Sequence, residues 1–108
     1  MTTKGTPPSK VRALAAIRDR HPGTSCDAQR QRLREALASF AITTFEGTRY
    51  LDCYDTRKRI AELRDEGEEI VTHWQVVATE SGQAHRVGKY VLQSAMAVAY
   101  LGRGQHEL

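Results

Sequence analysis

The densest run of like charge in this chain of 108 residues is Arg57-Lys58-Arg59. Consecutive guanidinium and ammonium groups suit the neutralisation of phosphates, and an arginine can also give two parallel hydrogen bonds to a guanine edge. The run stands just behind Asp55, a good helix cap, and just ahead of Ile60 and Leu63, whose three-residue spacing marks an inward helical stripe. With that stripe turned inward, a rotation of 100° per residue directs Arg57, Lys58, Ala61, Glu62 and Asp65 outward and leaves Arg59 on the flank. Bases lead the helix and acids trail it, the reverse of what the helix dipole prefers. A helix that dips its first turns into a major groove needs that order. Thr56, Arg57, Lys58, Arg59, Ala61 and Glu62 are therefore the candidate reading surface. Residue types alone do not divide base contacts from phosphate contacts, and a solvated charged face is the bland alternative.

Two further groups can carry recognition. In Thr43-Thr44-Phe45-Glu46, Thr43 and Glu46 stand three apart as a capping box, which leaves Thr44 and the free amides of the helix start for a phosphate. Gln83, His85, Arg86 and Lys89 fall at or near the tip of an expected hairpin, where they suit a backbone or a minor groove; polar hairpin tips are also ordinary. Trp74 and Tyr90 are strand aromatics, expected to pack across strands and on the helices rather than to stack on bases. Chemistry of other kinds finds no support. His21, His73, His85, His106, Cys26 and Cys53 lack the paired spacing of structural zinc sites, and there is no phosphate-binding glycine loop or nucleophile motif. The expectation is no enzyme activity, no cofactor and no small-molecule substrate.

The elements that must position these residues follow from periodicity and punctuation. Residues 1–8, with Gly5, Pro7 and Pro8, read as a disordered leader, and residues 9–24 as a basic arm. Within the arm Ser9 is expected to cap a helix over 10–20 bearing Val11, Leu14, Ala15 and Ile17, ended by His21-Pro22-Gly23. That helix is left to pack on the domain, pair with a second subunit or order on DNA. The domain itself is expected over 25–93. A helix capped by Thr24 or Ser25 places Cys26, Leu33, Ala36, Leu37 and Phe40 inward, with Arg32, Arg34 and Glu35 outside. A short helix runs from Thr43 to about Leu51. Asp52 tolerates the left-handed conformation of a tight turn, and a third helix over 55–66 stops at Gly67. Two β-rich stretches, 69–79 and 84–92, then flank Ser81-Gly82. This is the order of a winged helix-turn-helix: an α+β, mainly helical fold of three core helices followed by a β-hairpin wing, with extra terminal segments. Leu33, Leu37, Phe40, Phe45, Leu51, Ile60, Leu63, Ile70 and Tyr90 are the predicted core. Residues 94–108 form an apolar segment and tail; 96–101 are apolar on every side, which suits burial against both their own domain and a second copy in a homodimer, the alternative being that the segment folds back onto its own first helix.

The net charge of +3 is unevenly spread: +4 over 1–24, zero over 25–67 and −1 over 68–108. A basic arm beside a compact domain suits a polyanionic partner or simply a solvated tail. The chain has no run of about twenty apolar residues, so a cytoplasmic protein without membrane contact is expected, and both cysteines are expected to stay reduced.

The residues resemble a particular group, the small helix-turn-helix domain proteins of phages and prophages, a branch of the winged-helix superfamily. The likeness spans about 30–92 and is carried by Leu37, Thr43-Thr44-Phe45-Glu46, Leu51, Cys53, Arg59-Ile60-Ala61-Glu62-Leu63-Arg64, Gly67, Ile70, Trp74 and His85-Arg86-Val87-Gly88-Lys89-Tyr90-Val91-Leu92. Gly47 departs from the usual alanine, expected to weaken its helix by about 1 kcal/mol, and Asp52 replaces the usual turn glycine. The resemblance implies binding to double-stranded DNA, in transcriptional regulation or as a recombination accessory factor of a mobile element. A winged-helix protein-interaction module, an adaptor or inhibitor of a host protein without DNA binding, is the alternative, favoured by the neutral balance over 25–67.

Overall fold

Capping side chains set where the helices start. The computed structural model describes residues 2–3 and 5–93, and its elements are β1 (Thr2–Thr3), α1 (Pro8–Arg20), α2 (Cys26–Ser39), β2 (Ile42–Thr43), α3 (Thr44–Tyr50), α4 (Thr56–Asp65), β3 (Ile70–Ala78) and β4 (Ala84–Leu92). Ser25 accepts from the Ala28 amide and Asp55 from the Lys58 amide, and the Thr43–Glu46 capping box is present in both directions. Asp52 takes φ +54°, the left-handed turn its short polar side chain tolerates, and Gly67 ends α4 at φ +103°. Ser9 does not cap α1. The helix starts two residues earlier, with Pro7 as its extended N-cap and Pro8 supplying a first helical residue whose φ is already set.

The architecture is the expected winged helix-turn-helix, with the hairpin built into a sheet of order β1-β3-β4-β2. Strands β3 and β4 pair antiparallel from Ile70↔Leu92 to Ala78↔Ala84, and β2 adds antiparallel to β4 through Ile42↔Tyr90. Residues 2–3, expected in a disordered leader, instead pair parallel to β3 through Thr2↔Val76 and Thr3↔Val77. An unpaired edge at β3 offers a ladder that even two residues can join. The segment 94–101 lies outside the described residues.

One core joins all the helices to the base of the hairpin. Leu14 and Ile17 of α1 are buried with Leu33, Ala36 and Leu37 of α2, Ile60 and Leu63 of α4, and Ile70, Tyr90 and Leu92 of the hairpin. The arm helix is thus an integral part of the domain rather than an appendage to 25–93, and its charge is largely used within it. Lys10 binds Glu46, Arg18 binds Asp19 and Arg20 binds Glu35.

Four expectations about burial fail for identifiable reasons. Cys26 is exposed because it is the first residue of α2, ahead of the stretch that meets the core. Phe40 is half-buried at the core margin, under the Lys10 ammonium at 5.6 Å. Phe45 is 39% exposed, because the short α3 turns its Glu46–Gly47 side inward. Arg32, expected outside, is 1% exposed. Its guanidinium donates to the carbonyls of His21, Gly23, Leu51 and Asp52, so its position on the inner stripe is satisfied by backbone acceptors instead of apolar neighbours.

Gly47 also has a different meaning from that expected. A Cβ built there meets Thr56 Cγ2 and Oγ1 at 2.6 Å, so α3 and the start of α4 approach more closely than an alanine permits. The helix propensity lost is offset by a close crossing that Thr56 completes, its hydroxyl donating to Cys53 O at 3.2 Å. Gly47→Ala is therefore expected to destabilise the fold by about 1–3 kcal/mol despite its better propensity. In a double-mutant cycle read by urea denaturation, the cost should shrink when Thr56→Ala removes the clashing atoms. Stabilisation by Gly47→Ala alone would refute the account.

Candidate nucleic-acid interface

Helix α4 is held against α2 by ion pairs, and these decide which of its charges remain outward. Glu62 binds Arg30 at 2.8 Å, and Glu66 takes Arg30 at 3.3 Å and Arg34 as well. The Arg30 hydrogen bond comes first among the effects that hold the Glu62 carboxyl below its ordinary range. Arg59 is only 6% exposed. Its Nη2 donates to Glu62 at 3.0 Å, while Nε lies 2.9 Å from Glu62 Oε1 without the alignment of a hydrogen bond. Thr56, 1% exposed, is spent on Cys53 and the Gly47 crossing. Three residues expected on the reading surface are thus committed internally: Thr56 and Arg59 by burial, Glu62 by its arginine partners.

What remains outward on α4 is Arg57, Lys58, Ala61, Arg64 and Asp65. Among the described residues, neither the Arg57 guanidinium nor the Lys58 ammonium has a carboxylate within 4 Å. Sequence reasoning passed over Arg64, although it stands seven residues after Arg57 and hence on nearly the same side. Its guanidinium donates to Ile70 O and the Thr72 hydroxyl, both at 2.9 Å, which anchors it at the root of β3.

Between α4 and the hairpin lies an open cleft of about 540 Å³. Arg57, Lys58 and Arg64 line one side, Thr72, Trp74 and Tyr90 the other, with Asp55 and Ile60 completing it. Strand alternation explains the second wall: Ile70, Thr72, Trp74 and Val76 share the side of β3 that begins in the core. Only Ile70 reaches the core itself. Trp74 is 58% exposed and does not pack on the helices as expected; its cross-strand neighbour is Gly88, which brings no side chain to cover it. Arg86, two residues along β4, places its guanidinium 4.4 Å from the indole centroid.

The other hairpin candidates separate. Gln83 is exposed in the turn, whereas His85 and Lys89 alternate to the side opposite Arg86. There the His85 ring meets the edge of Phe45 at 6.2 Å between centroids. Lys89 lies well back from the tip, in register with Thr43, and lines a second groove with Phe45, Arg49 and Val77. Arg49 of α3 reaches Glu80 at the hairpin turn as an ion pair across this groove. Thr44 borders both sides, its hydroxyl 3.2 Å from that of Tyr90.

Helix α3 is fixed at its start by Glu46. Burial alone would raise this carboxyl, but the Thr43 amide, the Thr6 hydroxyl and the Lys10 ammonium outweigh it and hold the group below its usual value of 4.5. Cys53, by contrast, is pushed up to about 11 by burial and remains a thiol at neutral pH. Among the described residues no group of three or more His, Cys, Asp or Glu is placed to hold a metal, and no helix is long and apolar enough to cross a membrane.

A family model described as a winged helix-turn-helix domain matches residues 28–95, from the first turn of α2 to just beyond β4. No curated protein and no solved structure matches the chain.

The lowered Glu46 carboxyl has a direct consequence for acid stability. Because its folded pKa lies below the unfolded value, its stabilisation is complete above pH 4.5 and is lost as the pH falls through the folded value. Glu46→Gln should cost about 1–3 kcal/mol at pH 7. Its deficit relative to the parent protein should narrow as the pH falls below about 4.5 in urea denaturation. A deficit independent of pH would show that the charge on Glu46 contributes nothing.

Proposed function

Because this chain belongs to the winged helix-turn-helix domain family, we propose that it binds double-stranded DNA sequence-specifically, reading the major groove with the first turns of α4. The supporting observation is the way the domain sorts its cations. Lys10, Arg18, Arg20, Arg30, Arg34, Arg49 and Arg59 all sit in ion pairs with acids, and Arg32 is consumed by backbone carbonyls. Among the described residues Arg57, Lys58 and Arg64 sit in no ion pair, and they converge on one cleft, with Arg86 over the Trp74 ring that lines it. Phosphates are the ligand chemistry such a cluster fits. Arg57 contacts base edges, Lys58 contacts phosphate, Ala61 lets the helix approach the groove floor, and Arg86 with Gln83 follows the backbone from the wing. Thr44, His85 and Lys89 serve as flanking contacts.

The resemblance to small phage and prophage helix-turn-helix proteins supports a role as a cytoplasmic transcriptional regulator or recombination accessory factor of a mobile element. A single α4 spans few base pairs, so the protein acts as a homodimer on a two-fold site. The apolar composition of 94–101 supports that segment as the contact between copies. Sedimentation at several concentrations checks the assembly: Val98→Asp or Leu101→Asp should convert dimer to monomer while the helix content stays, and a monomeric parent protein would refute it.

The DNA reading is tested by selecting bound fragments from a random duplex pool and then measuring affinity at several salt concentrations. Arg57→Ala should cost about 1–3 kcal/mol on the preferred sequence, and Lys58→Ala should weaken all sequences alike and lower the salt slope by about 1. Both side chains are exposed and unpaired, so melting temperatures should not change. Unaltered affinity in both variants would reject this placement of α4. Absence of salt-dependent binding to any duplex would favour the protein-interaction module instead.

A further inference from the structure

Trp74 is the one tryptophan of the chain, and more than half of its surface is exposed on the wing. The core does not need it: the buried cluster ends at Ile70 and Tyr90, and Gly88 across the ladder brings no side chain of its own, the place of its Cβ lying against Thr72 and Tyr90. It is nevertheless oriented. Arg86 lies against the ring at 4.4 Å, and the indole forms a wall of the cleft whose opposite wall carries Arg57 and Lys58. The cleft, at about 540 Å³, falls within the roughly 300–1,000 Å³ of small-ligand sites. An aromatic face beside unpaired cations is how single-stranded nucleic acid is held: the ring takes a base and the cations take the flanking phosphates. A perfect duplex keeps its bases stacked and has none to offer.

We propose that the cleft between α4 and the wing is a binding site for an unpaired base, which stacks on Trp74 while Lys58 and Arg64 hold the phosphates beside it. This rests on the proposed DNA binding and deepens it. The protein prefers DNA with an unstacked nucleotide, within a duplex or on a free strand, over a fully paired duplex. Thr72 and Tyr90 line the same cleft, their hydroxyls held by Arg64 and Thr44.

The sole tryptophan makes the site its own reporter. The full chain is titrated at low salt with a random-sequence duplex, the same duplex carrying one unpaired thymine, and the corresponding single strand, with indole fluorescence and the anisotropy of a dye on the DNA followed together. The bulged duplex should quench the fluorescence and bind roughly 10-fold or more tighter than the paired one. Trp74→Ala should erase that preference while leaving paired-duplex binding and its salt slope in place, and Trp74→Tyr should retain most of it. Comparable quenching by the single strand identifies a free strand as an equal source of the base; quenching by the bulged duplex alone identifies a duplex defect. Equal affinity for paired and bulged duplexes, or a preference that survives Trp74→Ala, overturns the proposal while salt-dependent duplex binding through Arg57 and Lys58 still stands. No binding to any of the three overturns both readings.

Discussion

A single buried guanidinium ties the domain together. Arg32 projects from the middle of α2 and donates to His21 O and Gly23 O, just past the end of α1, and to Leu51 O and Asp52 O, just past the end of α3. The last carbonyls of a helix have no partners of their own and carry the negative end of its dipole, so a cation there satisfies and stabilises them. Arg32 does this for two helices at once. Each of these carbonyls, if buried without a partner, would cost about 1–3 kcal/mol, a large fraction of the roughly 5–15 kcal/mol that holds a domain folded. Lysine cannot substitute, because only the planar fork reaches both carbonyl sets from one position.

From that fastening the placement of α4 follows. Leu51 and Asp52 are the turn between the two helices of the helix-turn-helix pair, and their carbonyls are locked with Asp52 in the left-handed region. The turn cannot relax without breaking bonds to Arg32, so the direction in which α4 leaves is set. Gly47 and Thr56 then fix how closely α3 and α4 cross, and Arg30 and Arg34 pin the outer side of α4 to α2 through Glu62 and Glu66. A rigidly held α4 presents Arg57 and Lys58 with little reorganisation, which is the condition under which charged side chains contribute affinity rather than spend it on ordering.

The same economy separates structural charge from free charge. The sequence is neutral over 25–67, yet the fold pairs Glu62 and Glu66 of that stretch with Arg30, Arg34 and Arg59, takes Arg49 to Glu80, and leaves Arg57 and Lys58 in no ion pair among the described residues. A neutral segment thereby presents a cationic cleft. Net charge counts every ionised group alike, whereas a ligand meets only those whose field is not cancelled by a partner a few ångströms away.

The sequence by itself determined the parts governed by local chemistry. The helix starts at Ser25, Thr43 and Asp55, the stop at Gly67, the left-handed Asp52 and the extents of both hairpin strands were legible, since each depends on a side chain and backbone within a few residues of one another. The inward stripe of Ile60 and Leu63, and with it the outward course of Arg57 and Lys58, was legible for the same reason: helical rotation is a local property. What only the tertiary structure decided was every role that depends on a distant partner. Arg32 reads as a surface arginine until four carbonyls from two other segments close around it. Thr56 reads as interface until Gly47 takes it up, and Arg59 until the fold buries it beside Glu62. Gly47 reads as a weakness until Thr56 fills the place of its missing Cβ, and Trp74 reads as packed on the helices until the sheet leaves it on the open wall of the cleft. Periodicity reports which way a side chain leaves its own element, and it carries no information about what stands on the other side.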